Sequence, residues 1–278
     1  MNKLLLIKIP ILIYVVAVVM ILSVVPDNFQ IASLMIISSL IIIYLVIIAG
    51  KHLSDKLDKK TEFLHKEILA DYSQIESLFA IYNLLKIDSI LPPFRGWAIS
   101  PDFASVILKK IRHNKLEMII ECGSGVSTLI IAYLLKQRGS GHLYTLEHDK
   151  VYAEKTRQQL LRNDLTDYVT IIEKEMSNYK LNNKEWLWYN ISDLDEDLKV
   201  DLLIVDGPPF QIQPKSRYPA IPLLNKYLKN QAIVLIDDCN REDDKSVVEQ
   251  WTREFSYYAK EWIDTEKGAF LLTKHNSG

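Results

Sequence analysis

The chain has 278 residues, 49 % of them apolar, and a formal net charge of −2. That length can bury one full core and leaves room for an appendage. A near-neutral charge, with no basic block beyond a short lysine cluster, lacks the electrostatic footprint of a nucleic-acid binder. The two cysteines, Cys122 and Cys239, have neither zinc-ligand spacing nor a secretory context, so free thiols in a reducing compartment are expected.

The apolar residues are unevenly spread. Ile9 to Val25 and Ile31 to Gly50 are two uncharged runs separated by the short polar turn "PDNFQ". Each is close to the roughly 17–25 residues that cross a bilayer. A secretory signal peptide fits poorly, because the first run is long, no small-x-small cleavage site follows it, and a second run comes at once. A buried helical hairpin in a globular core is the other soluble alternative.

Two spans joined by so short a turn make a membrane hairpin over residues 1–50 with both ends on one side. Lys3 and Lys8 precede the first span and Lys51, Lys56, Lys59 and Lys60 follow the second, whereas the turn carries only Asp27. The positive-inside rule puts both termini, and everything after Lys51, in the cytoplasm. The expectation is an integral membrane protein with a cytoplasmic domain.

Residues 51–91 turn amphipathic. A seven-residue spacing runs through Leu57, Leu64, Asp71, Leu78 and Leu85, with Thr61, Ile68, Ile75 and Tyr82 in the second register. A coiled coil over residues 53–85 that forms a homodimer gives this pattern, and so does a helix lying on its own domain or on the membrane. "LPPFRGWAISPD" ends the helix at Pro92 and Pro93 and starts another at Pro101, with Ser100 as N-cap.

From residue 92 to 278 strands and helices alternate. Strands are expected at "LEMIIEC", "HLYTLEHD", "YVTIIEKEM", "VDLLIVDGPP" and "QAIVLIDD", with an irregular stretch around "KEWLWYN" and a closing pair, "YYAKEWID" and "AFLLTK". Helix-length crossovers argue for an α/β fold, a doubly wound, mostly parallel sheet. The short "DTEKG" link makes the last strand antiparallel.

Ligands of such sheets bind at the carboxyl ends of the strands. "ECGSGVST" stands at the end of the first strand and opens a helix, where Gly123 and Gly125 permit a tight turn and the helix N-terminus offers free N–H groups. A dinucleotide fingerprint wants a third small residue where this chain has Thr128. Glu147, about 20 residues on, can accept hydrogen bonds from ribose hydroxyls.

These motifs, with "LEHD", "VDGPP" and "LIDD" in that order at strand ends, resemble the class I S-adenosylmethionine-dependent methyltransferases over about residues 92–274. The resemblance implies seven strands with the last antiparallel. It implies that Glu121, Gly123, Ser124 and Gly125, with Ser127 nearby, hold the methionine part of S-adenosylmethionine. Glu147 takes the ribose and His148 the adenine side, which Glu175 and Met176 border. Asp206 falls where the donor methyl meets the acceptor, and can take the proton of a hydroxyl.

Asp206, Asp237 and Asp238 also resemble the metal-binding aspartates of divalent-metal-dependent O-methyltransferases, in which Mg2+ would lower the acceptor pKa. "GPP" after Asp206 departs from that pattern, and solvated or helix-capping carboxylates without metal are the alternative. "QIQPKSRYPA" is read as a polar surface loop or, through Arg217 or Tyr218, as an acceptor contact. The aromatic cluster Trp186, Trp188 and Tyr189 is read either as core or as a pocket wall.

The expected activity is methylation of a hydroxyl on a small-molecule, lipid-linked or membrane-protein acceptor. Two alternatives remain: a membrane scaffold whose Rossmann-like domain binds a nucleoside without catalysis, and an NAD-dependent oxidoreductase.

Overall fold

The computed structural model describes residues 13–20, 23–24, 26–87 and 89–274. The chain divides into two compact units, Met1–Leu69 and Ala70–Gly278. In the first, residues 13–20 are helical, and α1 begins at Asp27 and runs to Leu85 in the second. Asp27 to Gln30 are therefore helical, where a turn was expected. The reason is local: no proline or glycine follows Pro26 until Gly50, and one glycine lowers helix propensity without ending a helix.

Among the described residues one helix is long and apolar enough to cross a membrane, and the stretch begins at Phe29. The expected first span lies partly outside the described residues, as do Lys3 and Lys8.

The second unit begins inside α1. It continues with α2 (Pro101–Asn114), β1 (Met118–Cys122), α3 (Val126–Arg138), β2 (His142–Glu147), α4 (Lys150–Arg162) and β3 (Val169–Glu173). A hairpin of β4 (Ser177–Leu181) and β5 (Lys184–Trp188) precedes β6 (Val200–Val205), α5 (Ala220–Leu224), β7 (Leu228–Ile236), α6 (Glu242–Glu254), β8 (Tyr258–Ile263) and β9 (Ala269–Lys274). Seven strands form one sheet in the order β3-β2-β1-β6-β7-β9-β8. All neighbours pair in parallel except β9, which is antiparallel to both β7 and β8. The order reverses beside β1, the switch point where such sheets bind ligands.

Period-two alternation assigns each strand residue to one of two cores. Ile119, Leu202, Ile204, Ile233, Leu235 and Leu271 face a layer made by the end of α1 with α2, α3 and α4. Ile120, Leu203, Val205, Val234, Ile236 and Leu272 face the other layer, of α5, α6 and the hairpin. Both sides being covered, the strands read as near-continuous apolar runs.

The stretch around "KEWLWYN", expected to be irregular, is instead the β4–β5 hairpin. It turns at Asn182 and Asn183, both left-handed with φ of 50° and 60°. That is the backbone a two-residue hairpin turn needs, and asparagine tolerates it. Trp186 and Trp188 are buried in the second core. Between β6 and β7 the chain forms only the short helix Ala220–Leu224.

Candidate active site

Cys122 ends β1, and Gly123 turns the chain with φ 98°, its N–H donating to the Leu146 carbonyl at 2.9 Å. Only glycine takes that conformation without strain. Thr128 closes the turn: its Oγ1 accepts from Gly125 N at 3.0 Å and donates to Glu121 Oε2 at 2.6 Å. The residue that departs from the dinucleotide fingerprint is thus a helix cap and an anchor for Glu121.

Glu121 is 1 % exposed, and its Oε1 has no hydrogen-bond partner. Burial pushes its carboxyl up to about 7, against hydrogen bonds from neighbouring hydroxyls, Thr128 among them. A buried acceptor without a donor beside a glycine turn fits the ammonium end of an amino-acid ligand. That is the observation by which these residues suit the methionine part of S-adenosylmethionine.

The raised pKa of Glu121 makes stability depend on pH. The folded state keeps a proton that the unfolded state, with an ordinary carboxyl near 4.5, releases earlier. This group's stabilisation is therefore complete below the ordinary range and is lost as pH rises through about 7. Thermal unfolding of the unliganded protein from pH 5 to pH 8 should show Glu121→Gln gaining on the wild type with pH. The gain is on the order of 3 kcal/mol at the top of that range.

Glu147 ends β2. Its Oε2 accepts from Ser124 N (3.0 Å) and Ser124 Oγ (2.7 Å), and its Oε1 from His148 N (2.8 Å) and Asp149 N (3.0 Å). Burial would raise its pKa, but these bonds outweigh burial and hold the carboxylate below its usual range. Glu147 is therefore held as a carboxylate, fixed through both oxygens at the end of β2.

A cavity of about 350 Å3 brings most of the expected residues together: Gly123, Ser124, Ser127, Glu147, His148, Asp206 and Asp238 all line it. Gly125 lines the wider groove that continues it, and Glu121 stands behind the turn. Glu175 is exposed and, like Met176, stands outside the cavity lining; Asp149 and Tyr152 line that side instead.

Of the aromatic cluster only Tyr189 lines the cavity. Its hydroxyl lies where Gly207 leaves room: a Cβ at Gly207 would stand 2.2 Å from Tyr189 Oη and 3.1 Å from Cys122 O. Gly207→Ala must displace a buried ring, and is expected to cost about 1–3 kcal/mol in a denaturation experiment.

Asp206, Asp237 and Asp238 converge as expected, with one oxygen from each within 4.8 Å of the others. Their surroundings were not legible in the motifs. Arg217, expected on a surface loop or against an acceptor, is 3 % exposed. Its Nη2 donates to Asp206 Oδ1 (3.1 Å), Asp238 Oδ2 (2.6 Å) and Asp206 O (3.1 Å), and its Nη1 donates to Asp237 O (2.8 Å). Tyr218 beside it is buried in the second core.

Asp238 has a left-handed backbone, φ 62°, which turns the chain sharply after Asp237. Its carboxylate also meets Arg241, while Lys267 Nζ stands 3.9 Å away. Burial works against its ionisation, but Arg217, Lys267 and Arg241 hold its pKa below the usual range. Asp237 is 0 % exposed, has no hydrogen-bond partner on either oxygen, and is pushed far up by burial. Asp206 is pushed up to about 7, by burial first, with Arg217 opposing.

Lys267 also donates to Gly96 O (2.9 Å) and Ala98 O (2.7 Å), which latches the segment before α2 over the cavity mouth.

Residues 120–239, which carry every one of these aspartates, match a family profile described as a methyltransferase domain. No curated protein matches the chain. Solved structures share the fold at low identity. A protein assigned as a caffeoyl-CoA O-methyltransferase from Staphylococcus aureus is 18 % identical, with 76 % of this chain and 99 % of that chain covered and a TM-score of 0.50. One assigned as an O-methyltransferase from Klebsiella pneumoniae is 18 % identical over 76 % of this chain and 97 % of that one, TM-score 0.50. The S-adenosylhomocysteine-bound methyltransferase PaMTH1 from Podospora anserina is 14 % identical over 72 % and 88 %, TM-score 0.50.

Proposed function

We propose that this chain, which carries a class I, Rossmann-like S-adenosylmethionine-dependent methyltransferase domain, methylates a hydroxyl oxygen on a membrane-associated acceptor. The observation that carries this reading is Asp206, a carboxylate raised to about 7 in the cavity that the glycine turn opens into. S-adenosylmethionine supplies an electrophilic methyl group on a sulfonium. The acceptor oxygen forms the new O–CH3 bond as the S–CH3 bond breaks, and the electron pair of that bond stays on sulfur. The hydroxyl proton passes to the Asp206 carboxylate. The turn at Gly123, with Ser124 and Glu147, aligns the two partners.

Support for an acceptor at the membrane comes from two places. The helix from Phe29 is apolar enough to span, with lysines after Gly50 to hold its end in the cytoplasm. On this reading the Ile9 to Val25 run completes a two-span hairpin, with both termini and the catalytic domain cytoplasmic. In addition, a groove of about 1080 Å3 continues the cavity past exposed Trp97, Val151 and Tyr152 to Lys150, Lys155 and Arg162. Apolar wall followed by cations suits an amphiphilic acceptor with an anionic group, such as a lipid-linked glycan precursor. Two copies in one membrane would pair through exposed Leu57, Leu64, Ile68 and Ile75.

The test is calorimetry on the full chain in detergent micelles. Micromolar binding of S-adenosylmethionine, lost in Gly123→Arg, with no heat from NADH, is the expected result. No binding to folded protein would leave the scaffold reading, and NADH binding would favour the oxidoreductase.

A further inference from the structure

A divalent ion coordinated by the three aspartates would need oxygen ligands at about 2.0–2.6 Å. The cluster is compact enough for that. However, Asp206 Oδ1 and Asp238 Oδ2 are the atoms that Arg217 Nη2 already binds, at 3.1 and 2.6 Å. The guanidinium is also fixed from behind, by Asp237 O on Nη1 and by Asp244 Oδ1 at 3.5 Å from Nε. A buried side chain with this many partners does not swing aside at little cost.

The charge count agrees. Asp206, Asp238 and Asp244 face Arg217, Arg241 and Lys267 through the ion pairs of the cluster. Asp237 is sealed from solvent, without a polar partner on either oxygen. Three cations thus already stand among these carboxylates, and a divalent ion would add an excess of two more positive charges beside a guanidinium that is held in place. At these separations and in a low-dielectric surround that excess is strongly disfavoured.

We infer that Arg217 is the resident cation of this site, standing where a divalent metal would bind between Asp206 and Asp238, so that the chain binds no catalytic metal there. The inference rests on the methyltransferase reading for its meaning, but not for its test. A guanidinium stays protonated at any working pH and offers a planar fork rather than an open coordination position. It therefore positions Asp206 and balances its charge, and the acceptor proton passes to that carboxylate without a metal beside it.

The deciding experiment titrates Mn2+ into the full chain in detergent and measures free ion by electron paramagnetic resonance, with calorimetry of S-adenosylmethionine on the same sample. The wild type should take up no Mn2+ below about 1 mM, whereas Arg217→Gln should bind it at least about tenfold more tightly than that limit. Mn2+ should also raise the melting temperature of Arg217→Gln and leave that of the wild type unchanged.

Stoichiometric wild-type binding at tens of micromolar, abolished by Asp238→Asn, would overturn the inference. If Arg217→Gln fails to fold, the wild-type titration still decides, and Arg217→Lys, which keeps the charge, should exclude Mn2+ as the wild type does. Loss of the methyltransferase reading would show separately, as absence of S-adenosylmethionine binding.

Discussion

Asp206→Asn should lower methyl transfer about 1,000-fold, within the range a general base contributes, while changing the affinity for S-adenosylmethionine little. The residue lines the cavity and is held by Arg217 through Oδ1 and by its own backbone carbonyl. Asparagine keeps the size and can still accept from the guanidinium, but it cannot take a proton. Release of labelled S-adenosylhomocysteine with membrane extract as acceptor measures the first effect, and calorimetry the second. The wild-type rate should rise with pH through about 7, because only the ionised carboxylate serves and its pKa stands there. Equal losses in rate and in cofactor affinity would instead make Asp206 a binding residue.

Arg217→Gln should be among the most destabilising single changes in the domain. Removing one partner from a buried ion cluster leaves the others uncompensated, at a cost of about 3–5 kcal/mol. Three carboxylates contact this guanidinium, and it is 3 % exposed, so solvent cannot replace it. The change should lower the melting temperature by roughly 10 °C in a domain of this size. Tryptophan fluorescence should report it, because Trp251 Nε1 donates to the carbonyl of Tyr218, the next residue. A drop of under about 2 °C would mean that the cluster relaxes or admits water.

The parallel sheet was legible because its strands are buried on both faces and carry unbroken apolar runs, a signal that survives without tertiary knowledge. The glycine turn and Glu147 were legible because their roles are local: a backbone conformation at Gly123, and a strand end that meets Ser124. Arg217 was not, because its partners come from β6 and β7 and the loops after them, and no spacing within "QIQPKSRYPA" encodes that meeting. A signal existed all the same. Three aspartates brought to adjoining strand ends demand positive charge, and the nearest long basic side chains in sequence were the ones to suspect.

The β4–β5 hairpin was missed for a different reason. Its Asn182-Asn183 turn sits between two five-residue strands whose inward residues are aromatic, and a run of aromatics so dense masks the period-two alternation. The uninterrupted α1 was hidden by a change of composition at Gly50, which marks a change of surroundings and not of backbone.

The latch from Lys267 to Gly96 and Ala98 has a consequence for the order in which the protein comes into being. Lys267 belongs to the turn before β9, and β9 is the strand that slots between β7 and β8. Before β9 is in place β8 has no neighbour to pair with, and the segment before α2, some 170 residues earlier in the chain, lacks the two bonds from Lys267 and keeps those with α1, Arg95 to Asp71 and Leu91 to Tyr82, with its buried Leu91 and Ile99. Pairings so far apart in sequence form late. The last bonds over the cavity mouth thus wait on strand pairing at the far edge of the sheet.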